Sequence, residues 1–377
     1  MASANANLHK AKDAKNDEFY TQLTDVSKEM MHYKQHFKDK VVFCNCDDST
    51  WSAFWKYFHL NFAELGLKKL ISTHYDKEEA TYKMEYIGGD DNDIEAGVKT
   101  PLEGNGDFRN KECLDLLDEC DIVVTNPPFS LFREYVACLM EYNKKFLILG
   151  NMNALTYKEI FPLIRDNQLW YGASIHSGDR KFYVPDDYPL KASGCGVDDN
   201  GRKFIRVKGV RWYTNLDYKA RHETLVLWKN YTPEEYPKYD NYDAINVNKY
   251  SEIPCDYDGV MGVPITFIDY YCPEQFEIVA FRKGDDGKDL VFTRESEREF
   301  NRTFVSLYDV DSRDDKKCRR KNQWEAYFRK NNNQTKIEPI DYFYPLSIKS
   351  RAAGTMNGLI NGKETYRRIL IRQKGTN

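Results

Sequence analysis

Asp121-Ile122-Val123-Val124-Thr125-Asn126-Pro127-Pro128-Phe129-Ser130 decides how this chain is read. Ile122, Val123 and Val124 form a short apolar, β-branched run, the pattern of a strand buried on both faces. Pro127 and Pro128 stop the ladder at once, because neither has an N–H to donate. Asn126 is thereby held at the C-terminal end of a strand, where open α/β sheets place their ligands. The turn offers two hydrogen-bond acceptors, the Asn126 side-chain oxygen and the Pro127 carbonyl. Phe129 adds an aromatic face, so the set suits a flat ring bearing an amino group.

Upstream, Val41, Val42 and Phe43 make a second apolar strand that ends in Asn45-Cys46-Asp47-Asp48. Trp51, Phe54, Trp55, Phe58 and Phe62 follow at helical spacing. Strand, sharp turn and helix together form the opening unit of a nucleotide-binding sheet. A further strand is expected over 67–75, with Asp76 just beyond it as a ribose-diol ligand or a surface turn. Residues 76–100 read as an acidic loop or solvated hairpin. Gly104-Asn105-Gly106-Asp107-Phe108 permits a tight turn before a helix beginning near Cys113. Downstream of the quoted stretch, an amphipathic helix (131–142), a buried strand (145–149), a helix (151–163) and a strand (169–175) are expected. Short strands over 202–207, 210–216 and 224–228 would form an antiparallel edge. Alternating strands and helices from 40 to about 175 imply a mostly parallel sheet covered on both faces, an α/β fold.

A chain of 377 residues is long for one core, so two domains or an appended module are expected. The net charge of −4 excludes a uniformly basic surface, and any nucleic-acid contact must be local. Nine scattered cysteines without a Cys-x-x-Cys pair read as packed free thiols in a reducing cytoplasm. The seven histidines form no ligand pattern with them, so no metal is expected. No apolar stretch approaches the roughly 20 residues of a membrane span. In the later part of the chain, Tyr231 to Tyr242 reads as a linker or strap. Lys316, Lys317, Arg319, Arg320 and Lys321 put five cations into six positions, closely followed by Trp324. The cluster reads either as a solvated face or as a DNA-contacting patch with a stacking group.

Asn-Pro-Pro-Phe resembles the catalytic motif of amino-directed DNA methyltransferases that use S-adenosylmethionine. In order along the chain, Asp17 to Thr21, Val41 to Asp48, Gly104 to Phe108 and Asn126 to Phe129 resemble the EcoRI-type adenine-specific DNA methyltransferases. Met261 to Phe267 and Pro273 to Glu277 continue the resemblance, and Asn-Cys-Asp-Asp replaces a glycine-rich turn as in that family. The likeness spans about residues 8–284 and resumes near Asn361-Gly362-Lys363. Residues 285–355 do not match and read as an insertion in the target-recognition region, so no recognition sequence is carried over.

The resemblance implies a Rossmann-like, S-adenosylmethionine-dependent methyltransferase sheet with a C-terminal target-recognition module. The divisions expected are an arm and helix (1–39), a catalytic domain (40–230) and a DNA-binding module (231–377). Asn126, Pro127, Pro128 and Phe129 would be catalytic. Phe19, Tyr20, Thr21, Asn45, Cys46, Asp47, Asp76, Asp107, Phe108 and Asn126 would hold the cofactor. Asp107 would accept from its adenine amino group and Phe108 would cover the ring. The substrate would be an adenine flipped from double-stranded DNA and methylated at N6. The enzyme would be a monomer, prokaryotic or phage-encoded, with a cognate restriction endonuclease in the same system but no direct binding to it. Cytosine N4, RNA, and an inactive DNA-binding relative remain the alternatives on the residues alone.

Overall fold

The computed structural model describes residues 20–76, 80–186, 188–190, 194–239, 243–281, 358–360 and 363–375. Packing divides the chain into two compact units, Met1–Arg221 and His222–Asn377.

The first unit opens with α1 (Leu23–Met30), which buries Val26, Glu29 and Met30. The residue preceding it as N-cap is Gln22, without a side-chain capping bond. The strands that follow are β1 (Val41–Cys44), β2 (Lys69–Thr73), β3 (Tyr82–Tyr86), β4 (Val98–Pro101), β5 (Ile122–Thr125), β6 (Lys145–Asn151) and β7 (Trp170–Tyr171). A small antiparallel sheet is built from β8 (Asp179–Tyr183), β9 (Gly196–Val197) and β10 (Lys203–Lys208) before β11 (Val210–Thr214) returns to the main sheet. The main sheet has eight strands in the order β4-β3-β2-β1-β5-β6-β11-β7.

At its centre β2, β1, β5 and β6 are mutually parallel, whereas β3, β4, β11 and β7 join antiparallel. The sheet is mixed rather than mostly parallel. β1 and β5 are four-residue runs buried throughout, as strands covered on both faces must be. The remaining helices of this unit are α2 (Ala53–Leu60), α3 (Phe62–Leu65), α4 (Lys111–Glu119), α5 (Phe132–Glu141) and α6 (Phe161–Arg165). The Ser52 hydroxyl caps α2 by accepting from the Phe54 and Trp55 amides. In α5, Phe132, Tyr135, Val136 and Leu139 face the core at the expected i, i+3, i+4, i+7 spacing.

Residues 82–86 and 98–101 pair antiparallel with the outer strand exposed, the hairpin form of the expected loop or solvated hairpin, and the hairpin extends the main sheet. Two local expectations fail. The helix expected over 151–163 is broken into a 3-10 turn (Met152–Thr156) and α6, with Tyr157 extended between them and Pro162 in the first turn of α6. No strand forms at 224–228, where Val226 and Trp228 are 87% and 66% exposed.

The second unit holds β12 (Ala244–Asn246), β13 (Val260–Val263), β14 (Phe276–Ala280), a hairpin of β15 (Leu359–Ile360) and β16 (Lys363–Glu364), and β17 (Ile369–Gln373). Its four-stranded sheet runs β12-β13-β17-β14. The last strand therefore sits between β13 and β14. Met261, Val263, Phe267 and Phe276 from the 261–277 motifs are fully buried, which makes those motifs core rather than site. Tyr236 and Tyr239 of the expected strap are buried as well. No helix among the described residues is long and apolar enough to cross a membrane.

Candidate active site

From β1 the chain moves to β2 on one side, and later returns as β5 on the other. The sheet's switch point therefore lies between β1 and β5, and such points open a crevice at the C-terminal strand ends. The turn at 45–48 and the turn at 126–129 meet there. Thr125, the last residue of β5, donates its hydroxyl to the Asn45 carbonyl at 2.7 Å and to the Asp47 carboxylate. Ser52 donates to Asp47 at 3.2 Å, and the Asn126 backbone N–H also points to that carboxylate. Asp47 is 4% exposed. Burial pushes its carboxyl up to about 7, despite the three donors that favour the charged form. One buried acid thus ties the two turns together.

Cys46 carries the backbone angle that glycine supplies in most such turns: its φ is +58°. A non-glycine residue there costs about 1–2 kcal/mol. Its amide donates to Thr73 Oγ1 at 3.0 Å, its thiol to the Gly106 carbonyl at 3.8 Å, and Thr73 donates to Asn45 Oδ1 at 3.1 Å. The end of β2 and the 104–108 loop are thereby drawn to the same edge. Asp76 joins them, since its amide donates to the Asn105 carbonyl at 3.2 Å.

Gly106 has φ +74°, and a Cβ there would lie 2.2 Å from the His74 carbonyl oxygen. Gly106→Ala is therefore expected to cost about 2–4 kcal/mol in urea unfolding, from strain and overpacking together; an unchanged midpoint would show that the loop does not close on β2. Asp107 is held by Arg109 in a two-pronged pair at 2.8 and 2.6 Å. That guanidinium keeps the carboxyl below its ordinary range. A carboxylate has about four lone-pair sites, so the pair leaves acceptor capacity. Phe108 is buried edge-on against Tyr135, with ring centres 4.9 Å apart.

Tyr20 pairs through both backbone bonds with Tyr183 at the end of β8, and its ring lies 4.0 Å from that of Trp51 in the β1–α2 turn. The Gln22 side chain donates to the Lys181 carbonyl at 2.9 Å. Buried Glu29 of α1 accepts from the Ala173 and Ser174 amides at 2.7 and 2.8 Å. These ties hold Tyr20 and Thr21 beside the same strand ends. Thr21 Oγ1 is buried with no hydrogen-bond partner among the described residues. A buried hydroxyl left so is costly and fits a site that a polar ligand completes.

Asn126 and Phe129 are part-buried and Pro127 is buried; Phe129 packs its partly covered ring against the core, and Pro128 leads into the 3-10 turn Phe129–Leu131. Tyr20, Thr21, Asn45, Cys46, Asp47, Asp76, Asp107, Phe108 and Asn126 thus converge on one sheet edge. Phe19 and the Lys316, Lys317, Arg319, Arg320, Lys321 and Trp324 cluster lie outside the described residues. Sequence reasoning missed Thr125 and Ser52 as partners of Asp47, and missed Asp48. Asp48 accepts from Tyr82 at 2.6 Å and faces His74 Nδ1 at 2.9 Å. The available signal was Thr125 itself, a hydroxyl closing an otherwise apolar strand. Among the described residues no group of three His, Cys, Asp or Glu is arranged to hold a metal ion.

An open α/β sheet of this connectivity, with Asn-Pro-Pro-Phe at its switch point, defines a Rossmann-like methyltransferase. The chain belongs to the family described as adenine-specific methyltransferase EcoRI, whose profile matches residues 7–374, and is thereby an adenine-specific DNA methyltransferase. Among its relatives, the type II methyltransferase M.EcoRI of Escherichia coli is 49% identical over 76% of this chain and 93% of its own length. The type II methyltransferase M.MpnI of Mycoplasma pneumoniae is 42% identical over 72% of this chain and 84% of its own. The type II methyltransferase M.MgeORF184P of Mycoplasma genitalium is 41% identical, over 72% of this chain and 85% of its own. No solved structure matches the chain.

Proposed function

We propose that the chain methylates N6 of an adenine extruded from duplex DNA, with S-adenosylmethionine bound across the C-terminal ends of β1 and β2. S-adenosylmethionine supplies an electrophilic methyl group on a sulfonium. Thr21 would bond its methionine end, Asp76 its ribose diol, and Asp107 its adenine amino group, while Asn45, Cys46 and Asp47 shape the floor. Adenine's amino nitrogen is a poor nucleophile because its lone pair is delocalised into the ring. The Asn126 side-chain oxygen and the Pro127 carbonyl, accepting its two hydrogens, draw it toward tetrahedral geometry and aim the lone pair. Phe129 stacks on the extruded base, whose removal from the duplex costs a few kcal/mol. Alignment then provides most of the acceleration.

The observation that carries this reading is the union of the 45–48 and 126–129 turns through Asp47 and Thr125. On this reading it would set a cofactor floor and an amide acceptor side by side. The free thiols among the described residues suit a reducing cytoplasm as its setting. Transfer of labelled methyl from S-adenosylmethionine to oligonucleotides tests the activity. Label is expected in N6-methyladenine of duplex DNA; label in cytosine or RNA contradicts it. The cofactor site has a separate test. Thr21→Val removes a hydroxyl that makes no bond among the described residues, so the unliganded protein should be no less stable in urea unfolding. Calorimetric affinity for S-adenosylmethionine should fall about tenfold, one hydrogen bond's worth. Unchanged affinity would remove Thr21 from the site.

A further inference from the structure

The small sheet has a face that the reaction chemistry leaves unused. On β10, Ile205 and Val207 are buried while Arg206 and Lys208 are exposed, so its sides alternate as a half-buried strand requires. The register sets Tyr183 opposite Phe204, Lys181 opposite Arg206 and Asp179 opposite Lys208, all on the outward side. Lys181 and Arg206 are thus like charges directly across an antiparallel ladder, an arrangement that costs stability. The carboxylate near them is Asp179, 3.9 Å from Arg206. Lys181 and Lys208 form no ion pair among the described residues; the Lys181 ammonium lies instead 4.2 Å from the centre of the Phe204 ring. Three cations set against one acid leave this face complementary to an anion.

Both ends of the face are tethered to the candidate active site. At one end Tyr183 pairs with Tyr20, whose ring lies against Trp51 beyond the β1 turn. At the other, Lys208 gives its carbonyl to the Asn151 side chain at 3.2 Å, where β6 ends, and Val210 pairs with Asn151. Since β5 lies between β1 and β6, the small sheet brackets the strand end that carries Asn126.

We propose that Lys181, Arg206 and Lys208 hold the phosphates of the DNA strand on either side of the target adenine. The surface belongs to the catalytic unit. The proposal rests on the placement of the target base at Asn126. Phosphate contacts of this kind fix register without reading sequence. Neutralising one lowers the slope of log affinity against log salt by about 0.9.

The test is equilibrium binding of a labelled duplex to the full chain across a salt series, for wild type and for Lys181→Ala/Arg206→Ala/Lys208→Ala. The expected result is a slope reduced by about 2.7 for three lost contacts, equal for duplexes of unrelated sequence, with S-adenosylmethionine affinity unchanged. Should the triple variant fold poorly, Lys208→Ala alone, on an exposed side chain, should lower the slope by about 0.9. An unchanged slope, with wild type binding the duplex normally, overturns this surface alone. Failure of the wild type to bind duplex DNA at all would overturn it together with the DNA reading.

Discussion

Asn126→Ala is expected to lower the single-turnover rate of methyl transfer by about 10²–10³-fold, the cost of losing one preorganised polar contact to a reacting group. Affinity for S-adenosylmethionine should stay within about twofold. The backbone reason is local: β5 is buried throughout, and Pro127 and Pro128 end it at once. The amide is therefore held by the strand and not by the ligand. Truncating it removes an acceptor without disturbing the Thr125–Asp47 tie, which uses the Thr125 hydroxyl and the Asn126 backbone. Rapid-quench kinetics with enzyme in excess separates this loss from product release. A wild-type rate in the variant would take Asn126 out of the chemistry.

Asp47→Asn should act through position rather than through contact with the base. The wild-type carboxylate receives Thr125, Ser52 and the Asn126 amide. An asparagine offers one oxygen and turns a donor toward the others, at a cost of about 1–3 kcal/mol in stability. A 126–129 turn that shifts by even 1 Å loses about 10²-fold in rate, so kcat should fall more than the KM for DNA changes. The pH dependence gives an independent signature. Burial raises the Asp47 carboxyl from 3.8 to about 7, so the folded protein binds this proton more tightly than the unfolded chain does. Its contribution to stability is full below the unfolded value and is lost as pH rises through the folded one. Urea unfolding of wild type between pH 4.5 and 7.5 should therefore carry a downward component of up to ~1.4 kcal/mol per pH unit that Asp47→Asn lacks. Parallel curves for the two proteins would show that Asp47 does not titrate there.

The elements that sequence made legible share one property: their side chains carry a complete local pattern. Ile122–Thr125, Val41–Cys44 and the Phe132, Tyr135, Val136, Leu139 stripe each declare their period without reference to a partner. Tyr82 to Tyr86 also alternates buried and part-buried residues, but the acidic run after it left loop and hairpin both open. The strand expected over 169–175 shrinks to Trp170–Tyr171 because Gly172 gives way to Glu29, whose carboxylate would lie 2.2 Å from a Cβ there. That is a tertiary event between residues far apart in the chain. The same holds in the site. The convergence of Asn45, Cys46, Asp107 and Asn126 follows from strand ends on one edge, which sheet topology implies. The Asp47–Thr125 tie and the Asp48–Tyr82–His74 group depend on which strands become neighbours, and no local pattern records that.

The claim on which the rest depends is that the Asn126 turn methylates adenine in DNA. Single-molecule sequencing of genomic DNA from a host expressing the wild-type chain, beside the same host expressing Asn126→Ala, tests it most directly. Methylated adenine at one recurring sequence with the wild type, and none with the variant, is the result predicted. Unmodified adenine in the wild-type host, or equal modification in both, would contradict it.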